Sequence, residues 1–358
     1  MAIISIAQAQ GLYTDKLEAI YREKITPTTF LRSFFVPKVS NTKYISYAVK
    51  RSSEFKAEDV QRGTEGNRNT FGKSSLKKIL PPYFEEYLEA TQLDFYETMF
   101  ADGNGTVDVA TFANWLEETV DSLDELINLI DRQFEFMCKE VLETGIVTIK
   151  HGDNVDFNRK ALSLVANSAG NTWSTGTVNP YNNIEDGCNF IRTRGKSVGT
   201  VLNLIMGSEA HRDFMANDIV LKRNDIQHIN LDSIAKPQRI ADGTLHGEIT
   251  AGSFRVRIWT YNEYYDDANA NHNEYINPKK IILLPETPNF KFMYAGIPQL
   301  LGNKNKPKVG AGLSGKKGKY TISEFVDERH ASHQIIVKTA GMPVPISVDQ
   351  IWTAQVVA

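Results

Sequence analysis

Between Thr119 and Thr144 the apolar residues Val120, Leu123, Leu126, Ile127, Ile130, Phe134, Met137 and Val141 recur at intervals of three and four. That is the period of one face of an α-helix, so the run predicts a long amphipathic helix over residues 119–144. Acidic residues crowd its first turns, where the helix dipole favours negative charge, and Gly145 stands where a C-terminal cap belongs. Earlier in the chain the pattern is different. KYISYAVKR, beginning at Lys43, is rich in β-branched and aromatic residues and predicts a strand. LKKILPPYFEEYLEA, beginning at Leu76, predicts a second strand, and residues 51–75 between them are polar, charged and punctuated by glycine. Two strands around a long polar tip make an extended hairpin, with too little apolar surface to fold alone. Something else must cover it.

The remaining pattern is one of short elements. Leu17, Ile20 and Tyr21 have helical spacing, and Pro27 and Pro37 are expected to break any regular element around FLRSFF. GIVTIK and DNVDFN predict a small hairpin after the long helix. Residues 181–194 read as a helix, TVLNLIMG as a buried strand, and SEAHRDFMAND as a further helix. SFRVRIWTYNEYY alternates as a half-buried strand does, KKIILLP is another, and HQIIVKTAGMPVPISVDQIWTAQVV supplies strands at the C-terminus. No internal repeat is present. The class is α+β, with one long helix and mostly antiparallel sheet.

Composition narrows the function. A chain of 358 residues with 41% apolar residues fills a real core, as one elaborated fold or two domains. A formal net charge of -3 argues against a dedicated basic nucleic-acid binder. Two cysteines, Cys138 and Cys188, form neither a disulfide framework nor a paired metal motif, which fits a reducing compartment. The N-terminus lacks the basic segment and long apolar run of a secretory signal, and no apolar run approaches membrane-spanning length. A soluble protein, intracellular when made, is the expectation.

Four stretches match chemical templates locally and fail them in context. GAGLSGKKGKYT, from Gly310, fits both G-x-G-x-x-G and the opening of a P-loop. Both templates need a buried strand before the first glycine and a helix after the last, whose N–H groups hold phosphate. The approach, GNKNKPKV, is too polar for a core strand, the exit is β-branched, and Lys317 stands where a P-loop needs Ser or Thr. GKSVG around Ser197 matches the nucleophile elbow, but a helix precedes it and a strand follows, the reverse of the required order. Asp102, Asn104, Thr106 and Asp108 begin like a calcium loop, yet Val107 and Ala113 occupy the glycine and glutamate positions. A turn leading into a helix is the better reading. Asp266, Asp267, His272 and Glu274 lie in a segment whose Asp and Asn residues describe a long hairpin turn. No catalytic, cofactor or metal site is therefore assigned. The six lysines between Lys304 and Lys319 read as a solvated basic loop or a contact with a neighbour's carboxylates.

Extended pieces without a site resemble one family. FLRSFF followed by the polar hairpin is similar to the N-terminal arm and extension loop of the lambda-type (E family) major capsid proteins of tailed bacteriophages. SAGNTWSTGTVNPYNNIED, residues 168–186, resembles that family's T-x-W-S…P-x-x-D-I segment, and FRVRIWTYNEYYDD…YINPKKIILLPE…YAGIPQ resembles its strand, turn and strand run. The likeness runs through nearly the whole chain in order; residues from about Leu93 to Glu118 depart from it.

The resemblance implies a Hong Kong ninety-seven-type capsid fold. Its parts would be an N-terminal arm (1–40), an extension loop (41–82), a peripheral domain (83–180) with the long spine helix, an axial domain (181–315) and returning C-terminal strands (316–358). It implies a structural protein that is not an enzyme: hexamers and pentamers of the chain form an icosahedral shell around double-stranded DNA, contacted non-specifically. Portal, scaffolding and decoration proteins would be partners, with assembly in the host cytoplasm and residence in the virion. No large cleaved N-terminal scaffolding segment is expected, since arm-like sequence begins within the first few dozen residues. An encapsulin-like compartment is the alternative within the class, and a nucleotide-binding enzyme using residues 310–317 the alternative outside it. Candidate subunit-contact residues are Arg51, Phe55, Glu58, Arg62, Glu65, Arg68 and Phe71, charges and sparse apolar anchors on the hairpin tip.

Overall fold

The structure is a computed structural model that describes residues 27–49, 75–91, 109–166, 172–175, 178–226, 238–240, 242–267, 269, 271–301, 308–311, 319–327 and 332–358. In chain order the elements are α1 (Phe30–Ser33), β1 (Val36–Val39), β2 (Ile45–Val49), β3 (Ser75–Ile79), β4 (Tyr83–Thr91) and α2 (Val109–Glu143). There follow β5 (Ile146–Val147), β6 (Val155–Asp156), β7 (Leu164–Ala166), α3 (Pro180–Thr193), β8 (Val201–Met206), α4 (Ser208–Ala216) and α5 (Asp218–Ile226). Next come β9 (Gln238–Ile240), β10 (Gly243–Ala251), β11 (Phe254–Thr260), β12 (Tyr264–Asp266), β13 (His272–Glu274), β14 (Lys280–Pro285) and β15 (Phe290–Tyr294). The chain closes with β16 (Pro298–Leu301), β17 (Lys308–Ala311), β18 (Thr321–Asp327), β19 (Ser332–Pro345) and β20 (Trp352–Gln355).

The long helix is α2, and its apolar stripe is core. Ile127, Ile130, Phe134, Met137 and Val141 are buried, with Leu123 and Leu126 packed at the margin. It begins at Val109, ten residues before the expected start, and its 35 residues extend about 52 Å. The periodicity in fact continues backward through Phe112, Trp115 and Leu116. The acidic cluster consequently sits well inside the helix, and its first turn holds no acid. The C-terminal end is as expected. Gly145 takes φ +80°, and its N–H and that of Thr144 both bond the Glu140 carbonyl, at 3.1 and 2.9 Å. Arg159 closes the same end from across the fold: Nη1 donates to the Leu142 carbonyl at 2.9 Å and Nη2 to the Ser163 carbonyl at 2.8 Å.

Two sheets organise the rest. In the first, β1-β15-β19-β18 run side by side and β4 pairs with the far half of β19; α2 packs across β19 and β4. The second has the order β7-β20-β14-β8-β11-β10-β9. Alternate residues of β14 serve different cores, Ile282 and Leu284 facing the α2 side while Ile281 and Leu283 face α3 and α4. A strand buried on both faces needs a continuous apolar run, which is why KIILLP shows no alternation. Pairing is mostly antiparallel, with parallel pairs at β1–β15, β8–β11 and β7–β20.

Two expectations change at prolines. LKKILPPYFEEYLEA is two strands rather than one: Pro81 and Pro82 separate β3, which pairs with β2, from β4, which pairs with β19. Conversely, Pro27 and Pro37 do not abolish regular structure. A helical turn lies between them, and Pro37 sits inside β1. That strand is at the sheet edge, where a missing N–H is tolerated.

Candidate functional site: the N-terminal junction

The described chain enters the fold through residues that no motif singles out. α1 is a single turn, and the N–H groups of such a turn lack partners inside the helix. Glu135 of α2 supplies them: Oε1 accepts from the Leu31 N–H at 2.6 Å and Oε2 from the Arg32 N–H at 3.0 Å. The Tyr261 hydroxyl donates to Oε1 at 3.2 Å and also bonds Thr28. One turn earlier on α2, Asp131 receives both the Arg32 guanidinium and the Tyr320 hydroxyl. Thr29 donates its N–H to Asp242 at 3.2 Å, and Phe30 packs against Trp259 and Tyr261 at ring separations of 5.5 and 5.3 Å. The N-terminal turn is thereby fastened to the long helix, to the first sheet through the segment leading into β18, and to the second sheet through β10 and β11.

Burial shapes the electrostatics. Glu135 is fully buried, and burial raises its carboxyl from 4.5 to about 7 against the opposing effect of the two N–H groups and Arg32. Burial likewise pushes the Cys138 thiol, one turn along the helix and close to Glu135, well above its usual range. The arrangement is a clamp: the acids accept, and the backbone, guanidinium and hydroxyls donate. A cleft of about 260 Å³ beside it is lined by Thr29, Arg32, Ser33, Phe35, Tyr294 and Lys319.

The hairpin base lies next to this junction. β2 and β3 pair only with each other among the described residues, in the register Ile45↔Ile79 to Val49↔Ser75. Ile45 and Tyr47 are buried in the core beneath α2, and the Gly296 N–H bonds the Thr42 carbonyl at 3.0 Å. The proposed contact residues Arg51, Phe55, Glu58, Arg62, Glu65, Arg68 and Phe71 lie outside the described residues.

The other candidates resolve as follows. The polar approach to Gly310, expected not to be a core strand, does contain a strand, but it is β17 of a two-stranded hairpin with β16. Residues 312–318 lie outside the described residues, and the chain then enters strand β18 rather than a helix. Ser197 sits between helix α3 and strand β8, in a helix-to-strand turn as expected. Asp266, Asp267, His272 and Glu274 belong to the β12–β13 hairpin, and each acid has a structural partner. Asp266 pairs with His272 at 2.5 Å, Asp267 accepts from the Asn269 and Asn271 N–H groups, and Glu274 accepts from Ser208. Among the described residues no three His, Cys, Asp or Glu side chains converge as a metal would require, and no helix is long and apolar enough to cross a membrane. Sequence periodicity could assign Glu135 to a helix but carried no signal for its partners.

Comparison with known proteins gives this architecture a family. No curated protein matches the chain. The family model for phage major capsid protein E matches residues 14–356. A prophage capsid protein from Escherichia coli CFT073 superposes with a TM-score of 0.60 at 15% identity, over 97% of this chain and 98% of that one. A phage-related protein from Bordetella bronchiseptica RB50 gives 0.49 at 10% identity, covering 95% and 96%. The encapsulin from Synechococcus elongatus PCC 7942 gives 0.42 at 10% identity, covering 100% and 96%. The fold is the Hong Kong ninety-seven-type capsid fold. The chain belongs to the phage major capsid protein E family, whose members are structural proteins of the virion shell.

Proposed function

We propose that this protein assembles as hexamers and pentamers that close an icosahedral shell around double-stranded DNA. One observation carries the detail: a two-stranded ribbon is rooted in the core at Ile45 and Tyr47, yet has no third strand beside it among the described residues. Such a ribbon is marginal alone, and a neighbouring copy is the natural surface for it. On this reading residues 1–40 are the arm, 41–82 the extension loop, 83–180 the peripheral domain, 181–315 the axial domain, and 316–358 the returning strands. Arg51, Phe55, Glu58, Arg62, Glu65, Arg68 and Phe71 make contacts between copies, repeated head to tail around each ring. Assembly takes place in the host cytoplasm with portal, scaffolding and decoration proteins as partners. The near-neutral charge suits a container that must release its DNA.

The test replaces residues 51–74 by a tight Asn-Gly turn. The shortened chain should keep its circular dichroism and melting temperature, yet form no closed particles by negative-stain microscopy where the parent chain does. Normal particles from the shortened chain would refute the assignment of this segment.

A further inference from the structure

Helix α4 meets strand β10 of the second sheet through two closely packed imidazoles. His211 of α4 and His246 of β10 have ring centroids 4.2 Å apart, tilted by 37°. The register of β10 against β11 explains how His246 reaches the helix. Leu245 pairs with Trp259 and Gly247 with Ile258, so His246 is the extra residue of a β-bulge. Gly247 takes φ +145°, a backbone conformation that residues bearing a side chain rarely adopt. The bulge turns the ring toward Thr260, whose hydroxyl meets its Nε2 at 2.7 Å. Below α4, Ala210 and Phe214 are buried in the second core, where Phe214 packs on Trp173.

We propose that His211 and His246 form an acid-released latch that holds α4 on the sheet while both rings are neutral and frees it when they gain protons. Two imidazoliums at this separation repel, and among the described residues no carboxylate pairs with either ring. On α4 itself Glu209 lies in the first turn and Arg212 pairs with Asp213, and Glu274 from β13 is engaged by Ser208. On β10, Glu248 serves Arg255 and Arg257, and Arg239 of the adjoining β9 pairs with Glu263. The following helix α5 brings Asp218, Lys222 and Arg223, of which Arg223 stacks on Tyr181. From β11 the uncharged Thr260 hydroxyl meets His246, while Arg255 and Arg257 pair with Glu248 and Glu286. Burial holds His211 down to about 4, with the charge of His246 adding to it, and burial also lowers His246. Depressed histidines stabilise the fold above their unfolded value of about 6.5, and that stability is lost as pH falls toward the folded values. The window is therefore about pH 6.5 down to 4.

Hydrogen exchange of the purified full-length chain, at labelling times corrected for intrinsic rate, tests this. Between pH 7 and pH 4 the protection of residues 208–216 should fall at least tenfold while that of β8 holds. A His211→Asn, His246→Gln double variant, whose amides stay neutral, should keep α4 equally protected at both pH values. An acid loss in the double variant matching the parent's, or no selective loss in the parent, overturns the proposal. If the double variant does not fold, NMR titration of the parent decides: two ring signals titrating independently near 6.5 refute the latch, and depressed, coupled titrations sustain it.

Discussion

Replacing Glu135 by glutamine tests the N-terminal junction through pH. Glu135 has no solvent exposure, and its carboxyl moves from 4.5 to about 7 on folding. At about 1.4 kcal/mol per tenfold in proton affinity, that shift is worth about 3 kcal/mol. The sign follows from proton binding. Between 4.5 and 7 the folded chain holds a proton at Glu135 that the unfolded chain has released, so this group's contribution to stability falls as pH rises through that interval. Glutamine is nearly isosteric and cannot ionise. Its amide nitrogen would also face one of the two N–H donors, of Leu31 or Arg32, at a pH-independent cost of about 1–3 kcal/mol. The Glu135→Gln protein should therefore be less stable than the parent near pH 4.5, and the gap should close or reverse by pH 7.5. His211 and His246 act in the opposite sense over part of this range, so the readout is the difference between variant and parent, in which their contribution cancels. Urea unfolding of the unassembled chain at steps of half a pH unit measures it. A difference that stays constant across the range would show that Glu135 is ionised throughout, and the clamp would then be a fixed charge rather than a titrating one.

The elements with strong periodicity were legible because one face of each meets a core. Leu126, Ile127, Ile130 and Phe134 place α2 against a sheet without any knowledge of the sheet, and the doubly buried run of β14 announces itself in the same way. Legibility ended where a residue's role depends on a partner distant in sequence. Glu135 reads as an ordinary charge on a helix, yet its partners are 103, 104 and 126 positions away. The strand β4 hid behind Pro81 and Pro82 because its outer residues Tyr83 and Tyr87 are exposed, leaving only Phe84 as a core signal against α2. The hairpin base was visible as alternating aromatic and β-branched residues. What its tip touches depends on a second molecule, which single-chain periodicity does not encode.

Three further outcomes follow from buried groups. Ile130→Asp puts an uncompensated charge where Ile130 is 2% exposed, at a cost of several kcal/mol, and should yield insoluble or degraded protein in an expression and solubility assay. Cys138 and Cys188 are buried, with burial raising both thiols and taking Cys188 up to about 12, so neither should react with a maleimide until denaturant is added. Arg159 offers the sharpest contrast between charge and geometry. Its guanidinium spans the Leu142, Ser163 and Ile351 carbonyls and the Thr353 hydroxyl, and burial lowers it to about 10. The Leu142 carbonyl belongs to the last turn of α2, where a cation is favoured by the helix dipole. Arg159→Lys keeps the cation, but one ammonium cannot reach acceptors held by two separate nitrogens of a planar fork. The lysine variant should therefore lose about 2–4 kcal/mol in urea unfolding, nearly as much as Arg159→Met, since unpaired buried carbonyls remain in both. A lysine variant as stable as the parent would mean that charge at the helix end, rather than the fork joining α2 to Ser163 and β20, is what this arginine supplies.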